Sequence, residues 1–366
     1  MPSESFYRIE NGEKQCYDPA TKTYKTIPGQ ETKISLDILR ATNKVVWENK
    51  ESTIFDLGDG VLNLEFHSKM NTVGGGTLQG INKAVDLAEK EYKALVISNE
   101  GEHFSAGANV GMIFMLAVEQ EWEELNLAIK MFQNATMRLR YSSIPVIAAP
   151  HGMTLGGGCE ICMHSDKVIA HAETYVGLVE FGVGLIPGGG GTKEFAVRLS
   201  DELNNGDVRI NRFQDRFLTI GQAKVATSAY EAFDLGYFRK GIDEVIVSRA
   251  DQVAYAKKVA LQMVDKGYTQ PPTRNNIKIL GNEALGLVYV GADSFTVGKY
   301  MSEHDKLIAE KLGYVMAGGD ISQALTEVSE QYLLDLERKA FIELCTQRKT
   351  LERMQSLIKS GKILRN

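Results

Sequence analysis

Two glycine-rich segments, each with a glutamate, hold the residue types best suited to chemistry in this chain. The first is GGGCE at residues 156–160, and the second begins at Glu180 and ends in four glycines at 188–191. Glycine lets a backbone N–H group approach a ligand closely, and the unpaired N–H groups at a helix start favour negative charge. Carboxylates beside such donors can transfer protons while an oxyanion develops. The two segments therefore predict an enzyme that uses Glu160 and Glu180 for acid–base chemistry.

A third segment of small residues, FSAGAN at 104–109, follows an apolar run at 94–98 that predicts a buried strand. Open α/β sheets place their ligands at the carboxyl ends of the strands. This loop is therefore a second candidate source of backbone donors, although a loop of this kind is by itself typical of an ordinary tight turn.

The glycines do not form a nucleotide-binding motif. The nearest match to G-x-G-x-x-G, at residues 182–187, ends in Pro187, and no G-x-x-x-x-G-K-[ST] occurs. NAD is therefore not expected on this chain, and no bound cofactor is predicted. Cys159 and Cys162 form a C-x-x-C without a second ligand pair. We interpret them as small apolar residues of a buried helix, and no metal site is predicted.

The composition is that of an ordinary globular protein, since 43% of the 366 residues are apolar and 24% are charged. A net charge of −6 argues against general nucleic-acid binding. No apolar run is long enough to span a membrane, and the first residues lack the features of a secretory signal. With only four cysteines, the sequence predicts a cytoplasmic protein.

The pattern of apolar residues divides the chain into three parts. Residues 1–50 are polar and predict an extended lead-in or linker. Strands alternate with helices from residue 51 to about residue 200, which is typical of an α/β fold, and the chain is mainly helical after about residue 214. We divide this part into a catalytic core at 51–260 and a helical C-terminal region at 261–366. Strands are predicted at 61–66, 94–98 and 145–149, and helices at 75–91, 119–140, 303–316 and 321–358.

The three loops, in this order and with twenty positions from Glu160 to Glu180, closely resemble the crotonase (enoyl-CoA hydratase/isomerase) superfamily. Residues 104–109 are similar to the first oxyanion loop of that family, and residues 156–160 to the second. The resemblance covers about residues 50–260. It implies an α/β fold, a crotonase-like spiral of ββα units, followed by a mainly helical C-terminal region that serves oligomerisation and covers the active site.

The resemblance also implies a role for each site residue. The backbone N–H groups of Ala108 and Gly157 would hold the thioester oxygen of an acyl-CoA substrate, and removing one such donor costs roughly 3–4 kcal/mol. Glu160 and Glu180 would share one water. We expect Glu160 to act as the base for that water and Glu180 to give a proton to C2, and the reverse assignment stays open.

Four residues are similar to family positions that contact CoA, namely Lys69, Ala106, Asn109 and Val110. The chain departs from the family pattern at two places. Asn109 stands where the family usually has Asp, which alters contacts near the CoA nucleotide more than the chemistry. Leu357 stands where an aromatic residue is expected to contact CoA from a neighbouring subunit. The acyl tail is expected to meet residues 112–115 and the 119–140 helix.

The lead-in and residues 361–366 are similar to the hydratase half of a bifunctional group in which a 3-hydroxyacyl-CoA dehydrogenase precedes the hydratase. The resemblance thus implies hydration of trans-2-enoyl-CoA in fatty-acid β-oxidation, by a homotrimer or dimer of trimers with dehydrogenase and thiolase partners. Two alternatives stay open, a Δ3,Δ2-enoyl-CoA isomerase that works with one carboxylate and a non-catalytic oligomerisation module. Retention of both glutamates and of the glycines favours hydration.

Overall fold

The computed structural model describes residues 5–10, 13–29, 33–204 and 206–366, and its strands lie mostly before residue 250. The strands within these residues are β1 (Tyr7–Glu10), β2 (Glu13–Asp18), β3 (Thr23–Thr26), β4 (Val45–Glu48), β5 (Ser52–Asp56), β6 (Val61–Phe66), β7 (Ala94–Ile97), β8 (Val146–Ala148), β9 (Gly152–Leu155), β10 (Lys167–His171), β11 (Thr174–Gly177), β12 (Glu244–Ile246), β13 (Ile277–Ile279) and β14 (Thr326–Val328).

A seven-stranded mixed sheet forms the centre of the fold, in the order β12-β10-β8-β7-β6-β5-β4. β4, β5 and β6 pair antiparallel, with Ile54 opposite Leu64, whereas β6, β7, β8, β10 and β12 pair in parallel. β9 and β11 form a separate parallel pair. β8 and β10 are therefore each followed by a short strand of this pair and then by a helix, as in the ββα units expected from the sequence.

Helices connect the strands and make up most of the chain after residue 250. The α-helices of the described residues are α1 (Leu36–Ala41), α2 (Gly75–Glu91), α3 (Val110–Val118), α4 (Trp122–Arg140), α5 (Gly157–His164), α6 (Gly191–Glu202), α7 (Arg209–Gly221), α8 (Ala229–Leu235), α9 (Gln252–Asp265), α10 (Asn282–Val297), α11 (Glu303–Met316), α12 (Glu330–Cys345) and α13 (Arg348–Ser360). Short 3-10 helices lie at Lys69–Asn71, Glu180–Val183 and Arg249–Asp251. No helix among these is both long and apolar enough to cross a membrane.

Both faces of the central sheet are covered by apolar side chains. On β6, Leu62 and Leu64 pack into the larger core cluster, together with Ile81 and Val85 of α2. Val61, one position earlier on β6, packs into a second cluster on the other face, with residues of β7 and α9. Because strands of a parallel sheet are covered on both sides, every residue of β6 and β7 is buried.

The expected lead-in, residues 1–50, has more regular structure than the sequence predicts. β1, β2 and β3 form a separate antiparallel sheet whose residues are mostly exposed, and α1 packs on β5. β4 pairs with β5 at the edge of the central sheet. The central sheet therefore begins before residue 51.

The C-terminal region packs directly on the α/β part. α12 contacts α4 and α6, and α13 contacts α3 and the 3-10 helix at Glu180–Val183. The region predicted to be helical at 321–358 is divided. Its first part contains β14, which pairs with β13, and the chain leaves helical geometry between α12 and α13. These contacts place α12 and α13 beside the second predicted catalytic segment, residues 180–191.

Candidate active site

Gly156 and Glu180 lie in contact, which brings the two glycine-rich segments together. Gly156 has a φ of +49° and is the N-cap residue of α5, so Glu160 falls in the first turn of that helix. A Cβ atom added at Gly156 would lie 2.9 Å from Glu180 Oε1. The position therefore needs glycine for its backbone angle and for the space that the glutamate occupies.

The two predicted donors, the N–H groups of Ala108 and Gly157, are also neighbours. Isolated bridges join Val73 to Ala108 and Ser105 to Thr154, which holds the first loop against β9. A Cβ atom added at Gly157 would lie 3.4 Å from the nitrogen of Ala108. Neither N–H group donates to an acceptor in the described part of the chain, as is normal for the first residue of a helix such as Gly157.

A cavity of about 240 Å³ lies between these segments. Its wall includes both glutamates and residues 106–110, among them three of the four residues predicted to contact CoA, and the remainder is largely apolar. The polar and loop residues are Ala106, Gly107, Ala108, Asn109, Val110, Gly156, Glu160 and Glu180; the large apolar ones include Met112, Ile113, Ile129, Met131, Phe132, Phe341 and Leu357. An apolar cavity with a few convergent polar groups is the usual form of a ligand site.

The surroundings of Glu160 and Glu180 differ. Glu160 Oε1 accepts hydrogen bonds from the N–H groups of Gly189 at 2.8 Å and Gly191 at 2.7 Å. Glu180 Oε2 is buried and has no hydrogen-bond partner among the described residues. Burial raises the pKa of Glu160 well above its usual value, and the charge of Glu180 adds to this. Burial also raises the pKa of Glu180, to about 7, so the pair retains a proton to near-neutral pH.

The residues predicted to contact CoA are in different settings. Lys69 is exposed in its 3-10 helix and lies outside the cavity wall. The Asn109 side chain accepts a hydrogen bond from the Met112 N–H at 3.1 Å and so caps α3. The Ala106 N–H donates to the Met70 carbonyl at 3.0 Å. Their contacts with CoA remain predictions.

A third buried carboxylate, Glu337 on α12, was not singled out from the sequence. It is fully buried and accepts a hydrogen bond from the Gly190 N–H at 2.7 Å. Burial raises its pKa to about 7. It belongs to a helical stretch rich in glutamate, and no local motif distinguishes it.

A buried cluster of charged side chains joins α5, α6 and α12 next to the site. Lys193 Nζ lies 2.8 Å from Glu194 Oε1, 3.0 Å from Glu330 Oε1 and 3.0 Å from His164 Nε2. His164 Nδ1 is hydrogen-bonded to the carbonyl oxygen of Glu160 at 2.7 Å. Buried charges need such partners, and this set joins α5, the helix that holds the predicted base Glu160, to α12.

The sequence predicts no metal site and no reactive thiol in this region. Among the described residues there is no group of three or more His, Cys, Asp or Glu side chains that could hold a metal ion. Cys159 and Cys162 are free and fully buried in α5, as predicted for small apolar residues of a buried helix. Burial raises the pKa of both thiols, which disfavours the reactive thiolate.

Comparison with known proteins agrees with this geometry. A family model described as enoyl-CoA hydratase/isomerase matches residues 56–205. A Bacillus subtilis (strain 168) protein named "Probable 3-hydroxyacyl-CoA dehydrogenase" is 40% identical over 364 residues, which is 100% of this chain and 45% of that protein. A Rickettsia felis protein, provisionally named as a fatty acid oxidation complex trifunctional enzyme, is 26% identical over 341 residues, which is 92% of this chain and 43% of that protein.

The chain thus spans less than half the length of these curated relatives. Among solved structures, the crystal structure of an enoyl-CoA hydratase from Bacillus halodurans aligns with a TM-score of 0.57. The alignment covers 84% of this chain and 100% of that one, with 15% sequence identity. At this identity the likeness shows a shared fold, in agreement with the ββα spiral expected from the sequence.

Proposed function

Because residues 56–205 form a domain of the enoyl-CoA hydratase/isomerase (crotonase) family, we propose that this chain is an enoyl-CoA hydratase. Its substrate is a trans-2-enoyl-CoA and its product a 3-hydroxyacyl-CoA. The observation that supports this most strongly is the single cavity that holds two carboxyl groups of raised pKa, Glu160 and Glu180. Two adjacent N–H groups without an acceptor among the described residues, at Ala108 in the cavity wall and at Gly157 next to Gly156 of that wall, also support the proposal.

In the proposed reaction, the N–H groups of Ala108 and Gly157 bind the thioester carbonyl oxygen. Negative charge grows on this oxygen when C3 is attacked, so donors placed there lower the barrier. Each such donor contributes roughly 3–4 kcal/mol. The apolar wall of the cavity receives the acyl chain, starting at Met112 and Ile113.

Glu160 and Glu180 bind one water between them. One carboxylate takes a proton from this water as its oxygen bonds to C3, and the other, protonated carboxyl gives a proton to C2 on the same face, which completes a syn addition. Two N–H donors to Glu160 Oε1 favour its ionised form, whereas Glu180 Oε2 has none. These hydrogen bonds favour Glu160 as the base and Glu180 as the acid, as the family resemblance implies, whereas burial raises the pKa of Glu160 more strongly than that of Glu180 and favours the reverse assignment.

The setting of the proposed activity is fatty-acid β-oxidation in the cytoplasm. The longer relatives named for a dehydrogenase and for a trifunctional oxidation enzyme support a role as the hydratase part of a dehydrogenase/hydratase protein, with a thiolase as a further partner. The proposed chemistry uses no bound cofactor, and NAD belongs to the dehydrogenase step. CoA binding is assigned to Lys69, Ala106, Asn109 and Val110. We propose a homotrimer or dimer of trimers, in which residues 261–366 form contacts between subunits and cover the site.

The test is to mix the purified chain with a short trans-2-enoyl-CoA and follow the loss of the conjugated thioester absorbance. Hydration is expected, and its absence at every acyl length from a folded protein contradicts the proposal. A 3-enoyl-CoA substrate separates the two family activities. Rapid formation of the 2-enoyl isomer without hydration would identify an isomerase, and binding without either reaction would identify a non-catalytic module.

A further inference from the structure

One glycine turn, residues 188–193, donates its N–H groups alternately to two carboxylates from distant parts of the chain. Gly189 and Gly191 donate to Glu160 Oε1, at 2.8 and 2.7 Å. Gly190 donates to Glu337 Oε1 at 2.7 Å, and Lys193 donates through its backbone to Glu337 Oε2 at 3.1 Å. The same few peptide groups therefore fix Glu160 and Glu337 relative to each other.

The turn has no spare room around the catalytic carboxyl. Gly190 has a φ of +99°, which is strained for other residues. A Cβ atom added at Gly189 would lie 2.7 Å from Glu160 Oε2, and one added at Gly191 would lie 2.8 Å from Glu160 Oε1. A small displacement of this turn would consequently move the donors away from Glu160.

The carboxyl oxygens of Glu337 accept hydrogen bonds on the opposite side of the turn. In addition to the two backbone donors, the Gln133 side chain on α4 donates to Glu337 Oε1 at 3.2 Å. Gln133 is itself fixed, because Arg338 Nη1 donates to its Oε1 at 2.9 Å. Burial raises the pKa of Glu337 to about 7 and these three donors lower it in part, so the side chain carries its charge at and above neutral pH.

The negative charge of Glu337 changes the pKa of the carboxyl groups that face it. From α5 and the 3-10 helix, Glu160 and Glu180 have the same charge, and Glu337 contributes to the raised pKa of both. From α6, Lys193 has the opposite charge, but its Nζ is already paired with Glu194 and with Glu330 of α12. The neutral Gln133 faces Glu337 from α4.

We propose that Glu337 is a positioning residue of the proposed hydration, which holds the glycine turn against Glu160 and keeps one proton on the Glu160/Glu180 pair. The effect of Glu337 on hydration rests on the proposed function. Glu337 lies behind the turn and outside the cavity wall, so it acts through Glu160 and not on the substrate.

The test is the substitution Glu337→Gln, which removes the negative charge and keeps the size and shape of the side chain. Because Glu337 is charged at and above neutral pH and this charge is removed, the alkaline limb of the pH profile of kcat/KM should move by about one pH unit toward acid, with KM changed less than about threefold. Glu337→Asp retains the charge and should keep the wild-type pH position at a lower kcat. Glu343→Gln, on the same helix and paired with Lys311 near the surface, is the control with an unchanged profile. A wild-type profile in Glu337→Gln overturns the inference.

A second measurement does not depend on turnover. In protein with 13C-labelled glutamate carboxyl groups, the signals of Glu160 and Glu180 are late-titrating, which means that they change only near or above neutral pH. They are assigned by their loss in Glu160→Gln and Glu180→Gln. Glu337→Gln should move their titration about one pH unit toward acid. If these signals move in a protein that hydrates nothing, the proposed function fails and the charge role of Glu337 stands. If hydration is normal and the signals stay, this inference fails.

Should Glu337→Gln not fold, Gln133→Met provides the same test from the other side. It removes one donor from Glu337, which favours the neutral form of that carboxyl. The late-titrating signals are then expected to move toward acid in the same direction. Unchanged signals in a folded Gln133→Met protein count against the role of Glu337.

Discussion

The hydroxyl of Thr350 donates a hydrogen bond to the carbonyl oxygen of Gly184 at 2.9 Å, across 166 positions of sequence. Gly184 ends the 3-10 helix that begins with Glu180. The same hydroxyl is hydrogen-bonded to His304 Nε2 at 2.9 Å. One buried threonine on α13 thus connects the segment of a proposed catalytic glutamate to two C-terminal helices.

Replacing Thr350 by valine should weaken this connection. Loss of a buried hydrogen bond that leaves a carbonyl without its donor should lower the free energy of unfolding by about 1–3 kcal/mol. The hydration kcat should also fall, because Glu180 is held less firmly. Urea unfolding and steady-state kinetics measure the two effects. Thr346→Val, at an exposed helix end, is the matched control, and equal stability and activity of the two variants would contradict the expectation.

Glu160→Gln and Glu180→Gln should each abolish hydration while acyl-CoA binding is retained. Each change keeps the size of the side chain but removes a proton acceptor or donor that the shared-water mechanism needs, and general acid–base groups typically contribute about 10²–10⁴-fold. Kinetics and calorimetric titration with a substrate analogue measure the outcome. Glu102→Gln, whose side chain is 89% exposed, is the control. Near-normal hydration by either site variant would show that the two carboxyls do not share one water.

Lys193→Met should destabilise the fold strongly. The ammonium group is fully buried between Glu194 and Glu330, and removing one partner of a buried ion pair costs about 3–5 kcal/mol. Lys240→Met removes an exposed ion pair with Asp234 and should cost less than about 1 kcal/mol. Denaturant unfolding of both variants gives the comparison. If the two losses are similar, the buried cluster contributes no more than a surface pair.

Stability should fall as pH rises from about 5 to about 7, in part because of Glu180. Its folded-state pKa is about 7 against an ordinary value of 4.5. Between these two pH values Glu180 therefore keeps its proton in the folded protein but has lost it in the unfolded chain. The associated stabilisation is complete below pH 4.5 and is lost as pH rises through 7. It amounts to about 1–3 kcal/mol.

Unfolding in urea across this pH range measures the effect as the difference between the wild type and Glu180→Gln, whose curve should be flatter. The difference is needed because other buried groups titrate as well. Glu65 and Asp166 act in the same direction, since burial raises their pKa to about 7 and about 6. His151, with a pKa lowered by burial to about 4, acts in the opposite direction. Parallel curves for the two proteins would contradict a raised pKa at Glu180.

Local sequence patterns are sufficient where the determining residues are close in the chain. The apolar period of residues 75–91 predicts α2, which begins at Gly75 and ends at Glu91. The glycines around Gly156 and Gly107 predict close backbone approach, and both have positive φ angles where the two loops meet. The cavity that gathers Glu160 and Glu180 therefore follows from motifs that are each a few residues long.

The remaining features depend on contacts that no local pattern records. Glu337 acquires its setting only from Gly190, which is 147 positions away, and in sequence it resembles the other glutamates of α12. The antiparallel sheet near the N-terminus has half-buried aromatic contacts, such as that between Tyr17 and Tyr24, and few of the apolar residues that mark a strand. Both features need the folded arrangement to be recognised.

The ionic link between Lys193 and Glu330 has a consequence for synthesis on the ribosome. Chains emerge from the N-terminus and domains tend to fold as units, but a nascent chain that ends before α12 has the Lys193 ammonium group without Glu330 and the glycine turn without Glu337. Such an intermediate cannot bury these groups without a large desolvation cost. The active centre is therefore expected to reach its final form only after α12 has left the ribosomal exit tunnel.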